Sequence, residues 1–362
     1  MRIVTFGEIM GRLAPAGVLR LRQALPGSLD VTFAGAEANV AASLAMLGAD
    51  AEFVTALPKN PLADACLATL RGVGIGTRHV VRSDRGRLGL YFLETGANQR
   101  PSQVIYDRDG SSISRTPPEE YDWGGTFDGA GWLHVTGITP SISREAAEST
   151  RAAVEMAKKA GLTVSCDLNF RKKLWRWEAG TAPRDLAEKT MRSVLAFVDV
   201  VVANEEDCGD VLGIRAAGTD VHAGKLSVER YPDVARQLVA EFGNVSHVGI
   251  TLRESISASH NNWGGMLYSA KDDTAHYAPH GGDEYRPYEI RNIVDRVGAG
   301  DSFAAGLIFS LTTPELSDPS KAIRFAVAAS CLAHSIVGDF NYATRAEVEA
   351  LMGGAASGRV VR

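Results

Sequence analysis

Residues 295–301 run Asp-Arg-Val-Gly-Ala-Gly-Asp and lead into Ser-Phe-Ala-Ala-Gly-Leu-Ile-Phe-Ser-Leu, a good apolar helix. Gly298 and Gly300, with Ala299 between them, let the backbone turn sharply and come close to a ligand. The amide N–H groups of such a turn point outward at a helix N-terminus, where the macrodipole favours negative charge. A phosphoryl group in transit spreads charge over its equatorial oxygens, and a nest of amides suits it. A carboxylate at Asp301 could then accept the proton of an attacking hydroxyl. The competing reading is structural: Gly-x-Gly before a helix is common, and an Asp at a helix start often only caps it.

Such a segment needs a scaffold, and the rest of the chain reads as one. Short β-rich runs at 3–7, 51–56, 132–136, 162–166, 198–203 and 245–251 alternate with helical patterns at 36–47, 144–160 and 185–195. In the first helix Val40, Leu44 and Leu47 share a face, and Gly48 supplies the stop. This alternation predicts an α/β fold in which a mostly parallel sheet is covered by helices on both faces. Two regions, 8–34 and 86–116, break the pattern with short alternating runs such as 88–94 and 103–107. They read as antiparallel strands forming a small β lid over a pocket. Residues 215–230 read as a polar surface insertion, and 353–362 as a frayed end.

Composition narrows the function classes. The chain has 362 residues, of which 45% are hydrophobic and 22% charged, as in an ordinary globular protein. Its net charge of −5 argues against a nucleic-acid partner, though not against a small anion met by a local cluster of arginines. No apolar run reaches the ~18 residues of a membrane span, and the opening Met-Arg-Ile-Val-Thr-Phe-Gly reads as a strand. The four cysteines are scattered without Cys-x-x-Cys, which suits a reducing cytoplasm. His276 and His280 have the spacing of a helical metal pair, but Pro279 between them argues against a helix, so zinc chemistry is not indicated.

Three ordered segments together resemble the ribokinase (PfkB-type) sugar kinases. Asp295–Asp301 is similar to their second signature. Phe33-Ala-Gly-Ala-Glu-Ala-Asn39 resembles the N-terminal signature, with Ala34 where Gly is usual. Asn204-Glu-Glu-Asp207 resembles the Asn-x-x-Glu motif, with Asp at its last position. The resemblance implies a Rossmann-like three-layer αβα sandwich (ribokinase-like) with a β-sheet lid, in one kinase domain. It implies ATP and Mg²⁺ as cofactors, with a monovalent cation near Asp295 as a further candidate. Asp301 would be the base, and the amides of Gly298, Ala299 and Gly300 the anion hole. Gly35 and Asn39 would contact the sugar; Asn204, Thr251, Arg253, Gly298, Gly300 and His334 would line the ATP site; Asn204 and Asp207 would organise the metal, in part through water. For Asn204 the structural alternative is a capping box, and the choice among Glu205, Glu206 and Asp207 stays open.

Within the family, the block from Asp167 through Asn169 and Arg171 to Trp175 is similar to that of the branch acting on 2-keto-3-deoxygluconate. Tyr91, Tyr106 and Arg108 fall where that branch reads its substrate from the lid. A keto-deoxy sugar acid carries a carboxylate that a hexose lacks, and Arg108 and Arg171 could bind it through charge-assisted hydrogen bonds. The reading is therefore transfer of the ATP γ-phosphoryl group to the terminal hydroxyl of 2-keto-3-deoxygluconate, with an oligomer formed through the lid. The alternatives are a fructokinase-like neutral-sugar kinase and a silent sugar or nucleotide sensor. A nicotinamide dehydrogenase would carry Gly-x-Gly-x-x-Gly after its first strand; here that strand ends in Gly7-Glu-Ile-Met-Gly.

Overall fold

In the computed structural model, which describes residues 1–204, 206–215, 230–281 and 284–354, the β-rich runs become one large sheet. Strands Asp50–Val54, Arg2–Phe6, Ala130–Thr136, Thr163–Asp167, Val200–Ala203 and His247–Ser257 lie side by side, all parallel. Successive side chains point to opposite faces, so each strand feeds two cores. Val4, Leu133, Val135 and Val201 pack with helices Arg144–Lys159, Pro183–Leu195 and Tyr231–Glu241. Ile3, Trp132, Val200 and Val202 pack on the other face with Ala36–Met46, Ala299–Leu311 and Pro319–Ala333. This is the three-layer sandwich expected from the alternation.

The sheet continues further than its apolar pattern indicates. His247–Ser257 outruns the predicted strand at 251, and its last turn-ward residues are exposed. It pairs antiparallel with His260–Ser269, which in turn pairs with both Thr274–Ala278 and Tyr288–Arg291. His276 thus sits in a strand. The 51–56 run divides: Ala56–Pro58 leaves the main sheet to pair with Val81–Ser83.

The lid is a four-stranded sheet in the order Asp30–Ala34, Met10–Ala14, Gly89–Glu94, Gln103–Asp107. Its outer pairs are antiparallel as expected, but the central pair, Met10–Ala14 with Gly89–Glu94, is parallel. Parallel pairing is natural there, because the two strands come from separate inserts and no hairpin joins them. Most of the 215–230 insertion, Glu205 and the final eight residues lie outside the described residues. No helix among the described residues is long and apolar enough to cross a membrane.

Candidate active site

A cavity of about 350 Å³ opens between the lid and the carboxyl ends of the parallel strands. That is where ligands bind in open α/β sheets. Asp301 stands in the first turn of Ala299–Leu311, a helix whose small and apolar residues are buried almost throughout. Gly298 caps it at φ +85°, a conformation that favours glycine. The first intrahelical bond runs from Ser302 N–H to Gly298 O at 2.8 Å, so the amides of Ala299, Gly300 and Asp301 precede it. At Gly300 an added Cβ would meet open space, which leaves the turn accessible from the cavity.

The Asp301 carboxyl is buried, and burial pushes its pKa up to about 6. Asn39 counters this, donating from Nδ2 to Asp301 Oδ2 at 2.7 Å while its Oδ1 accepts the Gly35 N–H at 3.2 Å. Both ends of the Asn39 amide are therefore engaged by protein, and its clearest action is to aim the Asp301 carboxylate. Gly35 has extended backbone, and a Cβ there would sit 1.9 Å from the Glu8 carbonyl oxygen. Glycine is required at 35 by that backbone contact, before any ligand is considered.

The lid contributes Tyr91, Tyr106 and Arg108 to the same cavity. The Tyr91 hydroxyl donates to Asp339 Oδ2 at 2.8 Å. Arg108 lies over the Tyr106 ring, 5.4 Å from its centroid, and is paired with buried Glu8. Arg108 thus reaches the cavity with its charge already compensated. Arg171, more exposed, donates to the Phe170 carbonyl at 3.0 Å and lies close enough to Asp167, Asp207 and Asp301 to favour the charged form of each.

Thr251, Arg253, Arg296, Trp263 and His334 line the cavity as well. His334 donates from Nδ1 to Ser330 O at 2.9 Å and meets the Trp263 ring edge-on at 4.9 Å. Burial lowers its pKa to about 4, so the ring is neutral at physiological pH and Nε2 is an acceptor. Burial, with Arg253 close by, also lowers the pKa of Arg296, which donates to Asn261 Oδ1 at 2.7 Å.

Asn204 Oδ1 accepts the backbone N–H of Glu206 at 2.8 Å and of Asp207 at 3.0 Å, so it holds the start of helix Asp207–Leu212 as the capping alternative describes. Asp207 accepts the N–H of Phe170 and of Asn204, both at 3.1 Å. Asp167, from the end of strand Thr163–Asp167, lines the cavity beside it. Burial and then the Asp207 charge raise the Asp167 pKa well above the carboxylate range, a pairing that a cation would relieve. Among the described residues no three acidic, His or Cys side chains are grouped to hold a metal directly. A hydrated Mg²⁺, which needs only one or two carboxylates, fits Asp167 and Asp207.

Several residues of this site have no role in the sequence reading: Glu8, Arg12 and Asp339 line it or support it, Asp167 is named there only as the start of the block that ends at Trp175, and Glu37 lies buried beneath. Asp167 ends a parallel strand, a position that could have marked it. Arg12 interrupts an apolar strand in which it must be buried. Glu37 is fully buried, accepts from the Thr136 and Thr139 hydroxyls at 2.8 Å each, and burial pushes its pKa up to about 7.

Proteins of known structure share this architecture. The Thermotoga maritima 2-dehydro-3-deoxygluconokinase structure superposes with a TM-score of 0.87 at 45% identity, covering 98% of this chain and 100% of that one. A Haloferax volcanii 2-dehydro-3-deoxygalactonokinase is 32% identical over 98% of each chain. A Klebsiella pneumoniae fructokinase is 27% identical over 91% of each. The profile of the pfkB family carbohydrate kinases matches residues 2–245 and 265–341, and on that span, with the geometry above, the chain belongs to this family of ATP-dependent sugar kinases.

Proposed function

We propose that the protein phosphorylates a 2-keto-3-deoxy sugar acid, 2-keto-3-deoxygluconate first, on its terminal hydroxyl. Asp301 accepts the hydroxyl proton as the oxygen attacks the γ-phosphorus of ATP and the bond to the bridging oxygen of ADP breaks. The amides of Ala299, Gly300 and Asp301 hold the equatorial oxygens, and Asn39 keeps the carboxylate aimed. Asp167 and Asp207, with Asn204 shaping their turn, would hold Mg²⁺ through its waters; bound there, the ion neutralises charge on the phosphates. Thr251, Arg253 and His334 serve the nucleotide. The reading also places the protein in a reducing cytoplasm, in keeping with its four free cysteines. It takes a second copy of the chain as the partner of the lid.

The observation that carries the substrate class is Arg171, a guanidinium that lines the cavity and, among the described residues, makes no close ion pair like that of Arg108 with Glu8. A planar fork there suits a carboxylate bidentately, and a point ammonium cannot copy it. Arg171→Lys is expected to lower kcat/KM for the sugar acid by about tenfold or more, since each charge-assisted bond contributes ~1.5–3 kcal/mol. The loss should nearly vanish with the amide analogue of the same sugar. If both substrates slow by one factor, with unchanged melting temperature, Arg171 does not read the carboxylate. A neutral-sugar reading is favoured by one feature, the compensation of Arg108 by Glu8.

A further inference from the structure

Strand Met10–Ala14 of the lid sends one charged side chain into the main body. Arg12, its side chain 4% exposed, ends between two buried carboxylates: Nη2 lies 2.5 Å from Asp295 Oδ2, and Nη1 pairs with Asp339 Oδ1. Each acid has a second task. Asp295 Oδ1 accepts the N–H of Arg296 at 2.8 Å and of Val297 at 3.2 Å, and Oδ2 accepts that of Gly338 at 3.2 Å. These bonds shape the turn that ends in Gly298. Asp339 accepts the Tyr91 hydroxyl, and its own carbonyl packs so closely on Gly298 that a Cβ there would come within 2.2 Å. One guanidinium therefore closes a ring through lid strand, phosphate turn and C-terminal loop.

We propose that Arg12 is a positioning residue that serves as a built-in counter-ion, holding Asp295 and Asp339 together so that the anion-hole turn is set with the lid seated and no free monovalent cation is needed there. Two buried carboxylates side by side repel unless positive charge lies between them. A diffusible ion could supply that charge, but it would bind and leave with the salt. A covalently held planar fork also fixes direction, donating to both acids at once. Arg12 touches the reaction only through Asp295 and Asp339. The proposal rests on the kinase reading and not on which sugar is the acceptor.

The test uses whichever sugar the wild-type protein phosphorylates, with ATP affinity measured separately by calorimetry without sugar. A failed sugar assignment would therefore leave the nucleotide readout intact. In buffer whose only other cations are Mg²⁺ and tetramethylammonium, adding K⁺ or Na⁺ to about 0.1 M is expected to change wild-type kcat by less than about twofold. Arg12→Ala should lose about 10²-fold in kcat, the scale of a small misplacement of reacting groups. Guanidinium ion at millimolar concentration should restore a good part of that loss, and urea at equal concentration should not. Strong activation of the wild type by K⁺ or Na⁺ would overturn the proposal. So would a folded Arg12→Ala protein that keeps its activity or ignores guanidinium. If that variant does not fold, Arg12→Lys decides: one ammonium cannot bridge both acids as the fork does, so activity and ATP affinity equal to wild type would contradict the bridge.

Discussion

Asp301 is subject to two opposed influences, and their balance suits a base. Burial raises its pKa to about 6, while the Asn39 amide at 2.7 Å favours the carboxylate. At neutral pH the group is ionised yet retains appetite for a proton. As pH falls through about 6 the carboxylate protonates, so kcat/KM should decline on the acid side there and not near the ordinary carboxylate range. Asp339 acts on the same group, so the measured value will belong to the cluster. Asp301→Asn should retain ATP binding and lose about 10²–10⁴-fold in kcat. A variant within about threefold of wild type would place the base elsewhere. Contiguity explains what could be read at this scale. The 298–301 nest is one local segment, whereas Arg12 finds its acids 283 and 327 residues away, a distance no local pattern spans.

Among the elements, those buried on both faces were the easiest to anticipate, because near-continuous apolar runs mark parallel central strands. The strands beyond 257 were not anticipated: Arg253, Glu254 and Ser255 are exposed, so the apolar signal ends before the ladder does. A small β-sheet lid is present as expected, but its central pair is parallel, since register and direction between separate inserts are tertiary facts. Cross-strand register sets Val31, Leu13, Phe92 and Ile105 in one row, opposite in facing to Arg12, Tyr91 and Tyr106. Val31 is 59% and Ile105 54% exposed, at either edge of the row. With Gln103–Asp107 an exposed edge strand, this face is suited to a second copy. Sedimentation is expected to give a dimer or larger species, and Ile105→Lys to shift it toward monomer. A wild-type monomer at micromolar concentration would remove the lid as an assembly surface.

At the scale of the whole molecule, the αβα body and the lid meet through buried charge. Asp295 and Asp339 pair with Arg12 across the boundary between them, and Glu8, where the chain passes from body to lid, pairs with Arg108. Breaking such a pair by removing one partner typically costs about 3–5 kcal/mol, because the other charge is stranded. Lid seating and site geometry are thus joined, and Arg171 lines the same cavity from the body side. The proposed selection of a keto-deoxy sugar acid over a neutral sugar rests on the arginines that line this cavity. It is tested most directly by the wild-type kcat/KM for ATP consumption across 2-keto-3-deoxygluconate, its galactonate epimer, fructose and ribose. Charge-assisted recognition of the carboxylate, at ~1.5–3 kcal/mol per bond, predicts an advantage of at least about tenfold for one of the acids over either neutral sugar. Equal or faster turnover of fructose or ribose would contradict it.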